Sequence, residues 1–291
     1  MSSSIQPATT AHVVSRFNRA RDTFGDASAV FKQISERMLD RLELLATEPV
    51  RILDLGCRDG YQMQALSEKY PGAHVVGIDL AGPKRQFTGK WWRQSQSHAV
   101  IADQHALPVQ SGSVDLVVSN LLLPWSHDPA LVFKEVSRVL TDNGAFFFTT
   151  AGPDTLVEYA DIWNKIDSAA HVFGLADMHQ TGDALLASGF SAPVLDRENI
   201  TVDYPSVAAL QLELQLLGAS NIAVGRRRGL MASNLPRRLS EIAGSGRFSA
   251  TLELVQGHGW KGALPRNQSG NSNEYSVSVD SLKRSLRGDG Q

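Results

Sequence analysis

Val50-Arg51-Ile52-Leu53-Asp54-Leu55-Gly56-Cys57-Arg58-Asp59-Gly60-Tyr61 is the stretch on which the fold turns. Val50–Leu55 is a short apolar run of the kind that forms a buried parallel strand. Glycines at 56 and 60 follow at once, and helical periodicity begins at Tyr61. A strand, a glycine turn and a helix in that order bring a ligand close to backbone and to a helix N-terminus.

The same alternation continues outward. His74–Leu80 reads as a second strand ending near the acid Asp79, Pro83–Arg93 as a helix, and His98–Ala102 as a third strand ending at Asp103. Val114–Asn120 is a fourth strand, Pro129–Leu140 a helix, Asp142-Asn143-Gly144 a turn and Ala145–Thr150 a fifth strand. Upstream, Phe31, Ile34, Met38, Leu42 and Leu45 recur at helical spacing within Ala27–Ala46. Strands alternating with helices through short loops predict an α/β fold, a Rossmann-like, mostly parallel twisted sheet with helices on both faces. Its ligand site belongs beyond the C-terminal strand ends, where strand order reverses. Further on, Asp154–Asn164, Gly182–Ser188 and Ser206–Leu217 read as helices, and Pro193–Tyr204 and Ser249–His258 as strands. The domain layout expected is an N-terminal helical segment over 1–48, a catalytic domain over 49–262 with a lid-like insertion at about 205–247, and a disordered tail over 263–291.

Bulk composition excludes several classes. A formal net charge of −2 gives no reason to expect nucleic acid as a partner. A single cysteine, Cys57, rules out a disulfide framework within these 291 residues. No apolar run approaches the roughly 20 residues of a membrane span, and a cytoplasmic location is expected. Asp79 follows Asp54 by about 25 positions, where an acid accepts hydrogen bonds from ribose hydroxyls. Glycines plus that acid point to an adenosine-containing cofactor; spacing alone does not separate a nicotinamide dinucleotide from S-adenosylmethionine. His171, Asp177 and His179 fit no standard metal spacing and read as packing or capping residues. Trp91, Trp92, Trp125 and Trp163 read as core or pocket wall, with Trp125, just past the fourth strand, the one nearest the site. Gly225-Arg226-Arg227-Arg228-Gly229 is the one strong charge cluster, with Arg237-Arg238 beyond it. It reads as a solvated face or as a docking patch for an acidic partner.

Asp54-Leu55-Gly56-Cys57 resembles the first motif of class I S-adenosylmethionine-dependent methyltransferases. Ala102-Asp103-Gln104-His105-Ala106-Leu107-Pro108 and Ser113–Asn120 resemble their adenine-contacting loop and fourth strand. The resemblance implies S-adenosyl-L-methionine as cofactor, with Asp54, Gly56, Arg58, Gly60, Asp79 and Leu80 around it. It places Asp103 and Gln104 toward the adenine, and Asn120 and Leu121 along the methyl-donor pocket. A narrower resemblance rests on Phe17-Asn18-Arg19-Ala20, Gly152-Pro153-Asp154-Thr155-Leu156, Asp177-Met178-His179, Leu217-Gly218-Ala219-Ser220-Asn221 and Gly257-His258-Gly259-Trp260. These are similar to the malonyl-acyl-carrier-protein O-methyltransferases of biotin synthesis, which esterify the free malonyl carboxylate. Part of the set is shared with relatives that assemble respiratory complex I or hydroxylate a protein arginine, and a methyltransferase for another small acid is a further alternative. The family implies an acyl carrier protein bearing a malonyl thioester as partner. The residues expected toward substrate or partner are Phe24, Trp125 by its place after the fourth strand, and Arg226, Arg227 and Arg228 by their clustered charge. Two positions depart from its pattern: Arg58 stands where a glycine is usual, beside Asp59, and Phe24 stands where a tyrosine is usual. Arg58 either crowds the cofactor or reaches its carboxylate. A carboxylate nucleophile is ionised at neutral pH, so no catalytic base is expected.

Overall fold

A computed structural model describes residues 9–45, 48–82, 98–172, 174–223, 226, 234–244 and 246–262. The helix expected over Pro83–Arg93, the tryptophans Trp91 and Trp92, Arg227, Arg228 and the tail over 263–291 lie outside the described residues. Helices α1 (Thr10–Ala20), α2 (Phe24–Ala27) and α3 (Ala29–Arg41) precede strand β1 (Arg51–Leu55). Then come α4 (Tyr61–Lys69), β2 (His74–Asp79), β3 (His98–Ile101), β4 (Val114–Asn120), α5 (Pro129–Val139) and β5 (Leu140–Ala151). The C-terminal part holds α6 (Val157–Asn164), α7 (Met178–Ala187), β6 (Phe190–Tyr204), α8 (Val207–Leu216), α9 (Leu235–Ala243) and β7 (Phe248–Lys261).

The seven strands form one sheet in the order β3-β2-β1-β4-β5-β7-β6. Strands β1 to β5 are parallel, and β7 runs antiparallel between β5 and β6. The expected α/β class is the one found. Phe146 and Phe148 point to one face of β5, into a core with Phe133, Val136 and Leu185 from α5 and α7. Phe147 points to the other face, with Met38 from α3 and Met63 and Leu66 from α4. That two-residue alternation is what covers both faces of the sheet. Residues of α6, α8 and α9 form a separate core with Phe248 and Ala250.

Several boundaries differ from the sequence reading. The helix expected over Ala27–Ala46 is broken at Ser28, whose φ and ψ are non-helical, and its last turn is a 3-10 turn over Leu42–Leu44. Thr10–Ala20 forms a further helix of the N-terminal helical segment, ahead of the one read from its periodicity. The Asn143 turn lies inside β5, with Asn143 at φ 65° and a register shift against β4 between Val114 and Leu116. Within the expected insertion, α8 and α9 are regular helices packed in the third core.

Candidate active site

Strands β1 and β4 are neighbours whose onward connections run to opposite sides of the sheet, so the crevice beyond their C-terminal ends is the switch point. Gly56 turns the chain there at φ 89°, with its N–H on the Ile78 carbonyl at 2.7 Å. A Cβ on Gly56 would lie 2.8 Å from Leu122 Cδ1, so glycine is required by both conformation and space. Gly60, at φ 76°, caps α4.

Two adjoining cavities open at this turn. One, of about 420 Å3, is lined by Gly56, Arg58, Asp79, Leu80, Gln104 and Asn120, under a roof that includes Phe17, Phe24 and Leu217. The other, of about 340 Å3, reaches Asp54, Asp59 and Gln62. The buried Asp54 carboxyl accepts from Gln62 Nε2 at 2.8 Å through Oδ1, while Oδ2 has no partner. Burial pushes its pKa up to about 8, with Gln62 opposing and Asp79 adding. Asp79 accepts from the Arg58 N–H at 3.0 Å and the Ala81 N–H at 2.8 Å. Burial raises that carboxyl too, against the pull of Arg58. Gln104 is buried with its Nε2 unpartnered on the cavity wall. Unsatisfied buried donors and acceptors are costly, and Asp54 Oδ2 and Gln104 Nε2 each belong to a residue that lines one of these cavities. An acceptor for an ammonium at Asp54, an acid for ribose hydroxyls at Asp79 and a donor for a purine nitrogen at Gln104 fit S-adenosylmethionine.

Arg58 is the irregular member. Its φ is 47°, its guanidinium packs 3.7 Å from the Phe17 ring and 4.3 Å from the Phe24 ring, and its Nη2 donates to the Leu217 carbonyl at 2.8 Å. It therefore ties α1, α2 and the end of α8 together across the cofactor cavity. Asn120 donates to the Phe31 carbonyl at 2.9 Å and accepts from Thr149 Oγ1 at 2.7 Å, which fastens α3 to the sheet. Asp103 is placed differently. It is half-exposed, it does not line either cavity, and its Oδ1 takes the His105 N–H and ring nitrogen at 2.9 and 2.6 Å. His105 Nε2 continues to Ser126 Oγ at 2.8 Å.

A third cavity of about 890 Å3 adjoins the first and is almost wholly apolar, with Val30, Leu175, Leu210 and Leu252 among its walls. Phe31, Leu121, Trp125 and Leu217 line both. Leu121 stands at φ 51°, held by Thr149, and Leu156 on the far wall stands at φ 59°. Left-handed backbone at bulky residues is strained and gathers at working sites. Trp125 packs edge-on against Phe17 at 5.2 Å. Phe17, Phe31 and Leu217 are the site residues the sequence reading missed. Phe31 is visible there only as one member of an apolar stripe, and Phe17 only within the family motif. Arg226 stands away from the turn, beside α1. His171 stacks on Trp163 at 3.7 Å and pairs with Asp167, and Asp177 caps α7, as packing and capping residues do.

Among solved structures the chain is similar to the YcgJ protein of Bacillus subtilis, at a TM-score of 0.54 and 14% identity over 79% of this chain and 98% of that one. It is similar to the cyclase SpnF at a TM-score of 0.50 and 16% identity, over 80% of this chain and 81% of that one. At such identities the likeness shows the fold alone, and one fold hosts many chemistries. Residues 53–148 match the methyltransferase domain model. The malonyl-acyl-carrier-protein O-methyltransferase of Gallionella capsiferriformans is 38% identical over 266 residues, 87% of this chain and 91% of that protein. That of Halorhodospira halophila is 35% identical over 284 residues, 93% of this chain and 94% of that protein. Likeness at this level along nearly the whole length places this chain in the malonyl-acyl-carrier-protein O-methyltransferase family.

Proposed function

We propose that the chain transfers the methyl group of S-adenosyl-L-methionine to the free carboxylate of a malonyl thioester on acyl carrier protein, an early step of biotin synthesis. The observation that carries this reading is the wall of Phe31, Leu121, Trp125 and Leu217, shared by the cavity at the Gly56 turn and a large, mostly apolar one. When bound, S-adenosylmethionine supplies an electrophilic methyl group on a sulfonium. Asp54 would hold its ammonium, Asp79 its ribose and Gln104 its adenine. The substrate carboxylate arrives already ionised, its reference pKa being about 4. The protein's work is then to align nucleophile and methyl and to keep water out, which the apolar junction does. Asn120 acts through Phe31, whose backbone it holds, and so positions that wall.

No helix among the described residues is long and apolar enough to cross a membrane. Cys57 is a buried free thiol, in keeping with a reducing compartment, and we assign the reaction to the cytoplasm. Two measurements test the function together. The purified chain should form S-adenosylhomocysteine when malonyl-carrier protein is added and not with the carrier lacking the malonyl group, with a mass gain of one methylene on the malonyl arm. Its expression should restore growth without biotin to an auxotroph lacking the methylating step. Failure of both discards the reading.

A further inference from the structure

The substrate cavity does not end at its apolar wall. Leu156, Val172, Leu214 and Ala219 line it and also line a further cavity of about 1060 Å3. The far cavity carries cationic side chains, whereas the near one has one carboxylate, Glu213, which accepts from Tyr204 Oη at 3.0 Å. Arg16 of α1 and Arg226 reach it, beside Ser220 and Asn221. His12 lies one helical turn before Arg16, and the Arg226 guanidinium is 3.3 Å from His12 Nε2. Arg19, three positions after Arg16, lies on the same side of α1. Three guanidiniums thus stand together, and none takes part in an ion pair among the described residues. Burial, then the charges of Arg19 and Arg226, hold Arg16 below its ordinary pKa. The carboxylate on the same wall, Asp167, is engaged by His171 at 2.8 Å, and His171 is itself stacked on Trp163. Like charges gathered together repel one another, and an anion between them relieves that repulsion.

The path between the two ends defines the anion's carrier. At one end is the methyl-donor wall at Leu121 and Trp125; an apolar channel past Leu210 and Leu214 follows; the arginines stand at the other end. A ligand matching this order has a carboxylate, an uncharged flexible stem and a phosphate. We propose that Arg16 and Arg226 bind the phosphate of a phosphopantetheine arm, so that the enzyme reads the arm itself and not only the surface of the protein bearing it. This assignment rests on the malonyl-thioester reading and deepens it. The same pantetheine phosphate occurs on a carrier protein and in coenzyme A, and the experiment separates the two.

Initial rates are to be measured on malonyl-pantetheine, malonyl-4′-phosphopantetheine, malonyl-coenzyme A and malonyl-carrier protein. Wild type is compared with the Arg16→Gln/Arg226→Gln double variant and with Arg16→Lys, which keeps the charge. In the wild type, adding the phosphate to malonyl-pantetheine should lower KM about tenfold. The double variant should raise KM about tenfold for the three phosphate-bearing substrates, with kcat/KM on malonyl-pantetheine held within twofold, and Arg16→Lys should recover part of the loss. A similar effect on coenzyme A and carrier substrates means the phosphate is read in either source. A loss confined to the carrier protein means the arginines touch its surface instead, and overturns the proposal. Equal loss on malonyl-pantetheine, or indifference of the wild type to the phosphate, also overturns it. Calorimetry with free 4′-phosphopantetheine against pantetheine needs no turnover. It decides the arginine site even if no malonyl thioester is methylated, and circular dichroism of the variants checks that they fold.

Discussion

At Asp54 one carboxyl oxygen is held by Gln62 and the other has no partner. Its proton stays on up to about pH 8 because burial penalises the charge, whereas the unfolded chain gives it up near the ordinary value of 3.8. The sign follows from that difference. Asp54's contribution to stability is full below about pH 4 and is lost as pH rises toward 8, since the folded state then holds the extra proton. Binding of a cation at Oδ2 works against the same proton. Affinity for S-adenosylmethionine should therefore rise from pH 6 to pH 7 by up to about tenfold, with close to one proton released, before the ligand's own amino group titrates. Calorimetry in buffers of different ionisation enthalpy reads that proton. Asp54→Asn should weaken binding and flatten the dependence, and a pH-independent affinity in the wild type would remove Asp54 from the ammonium site. Arg58 sets a second test. A left-handed φ costs on the order of 1 kcal/mol at a residue with a Cβ, and the side chain occupies the cofactor cavity. Arg58→Gly removes both, so the cofactor should bind about fivefold more tightly, while amide exchange over Thr10–Ala20 speeds up because the Phe17 contact is gone. Weaker binding instead would make Arg58 a ligand of the methionine carboxylate.

Among the elements, β7 shows how an antiparallel strand is fitted into a parallel sheet. Gly257 lies opposite Phe148 in the β5 pairing, and a Cβ there would stand 2.5 Å from Phe148 Cζ. The ring therefore occupies the space a side chain would need. Gly257→Ala should cost about 1–3 kcal/mol by overpacking. A urea titration should show the midpoint fall with an unchanged slope, and a fall of less than about 0.5 kcal/mol would mean that Phe148 can move aside. Helix α3 illustrates the opposite case, an element steered by charge. Arg37 pairs with Glu198 at 2.6 Å, and Arg41 with Asp196, so the helix is tied to the edge strand β6 as well as packed on the sheet. These pairs are half-exposed and each contributes little by itself.

On the scale of the whole molecule, the cavities form a line from Asp54 at the sheet to Arg226 beside α1, and each neighbouring pair shares a wall. The line exists because α1 to α3 roof the strand ends while α6, α8 and α9 build a second core beside them. Leu214 lines both outer cavities. Leu214→Trp should narrow the passage and raise KM for the malonyl thioester at least tenfold. Cofactor affinity should stay within twofold, since the cofactor cavity is not lined by Leu214. Steady-state kinetics beside cofactor calorimetry checks the split; a matching loss of cofactor affinity would show that the substitution disturbs the roof as a whole.

The sheet, the turn at Gly56 and the acid at Asp79 were all legible in the residues, because strand–turn–helix periodicity and glycine chemistry are local properties. The family motifs named Asn120 and Leu121, and position past the fourth strand named Trp125; all three line the first cavity. The break of the N-terminal helix at Ser28 and the run of β5 through Asn143 were not legible, since both depend on which partner strand or roof the segment meets. The same holds for Phe31, an ordinary apolar position, and for Phe17 and Leu217, which family motifs contain without a role, until helices far apart in sequence close over one crevice. Asp103 shows the limit from the other side: its place after a strand suits a ligand, yet the nearest donor, His105, takes its carboxylate. Arg58 could be seen to be out of pattern, but whether it met rings or a carbonyl was decided by packing between segments as far from it as Leu217, 159 positions along the chain. Local sequence determined where a ligand can approach the backbone. Only the tertiary structure decided which side chains surround that place, because side-chain neighbours are set by the collapse of distant apolar surface.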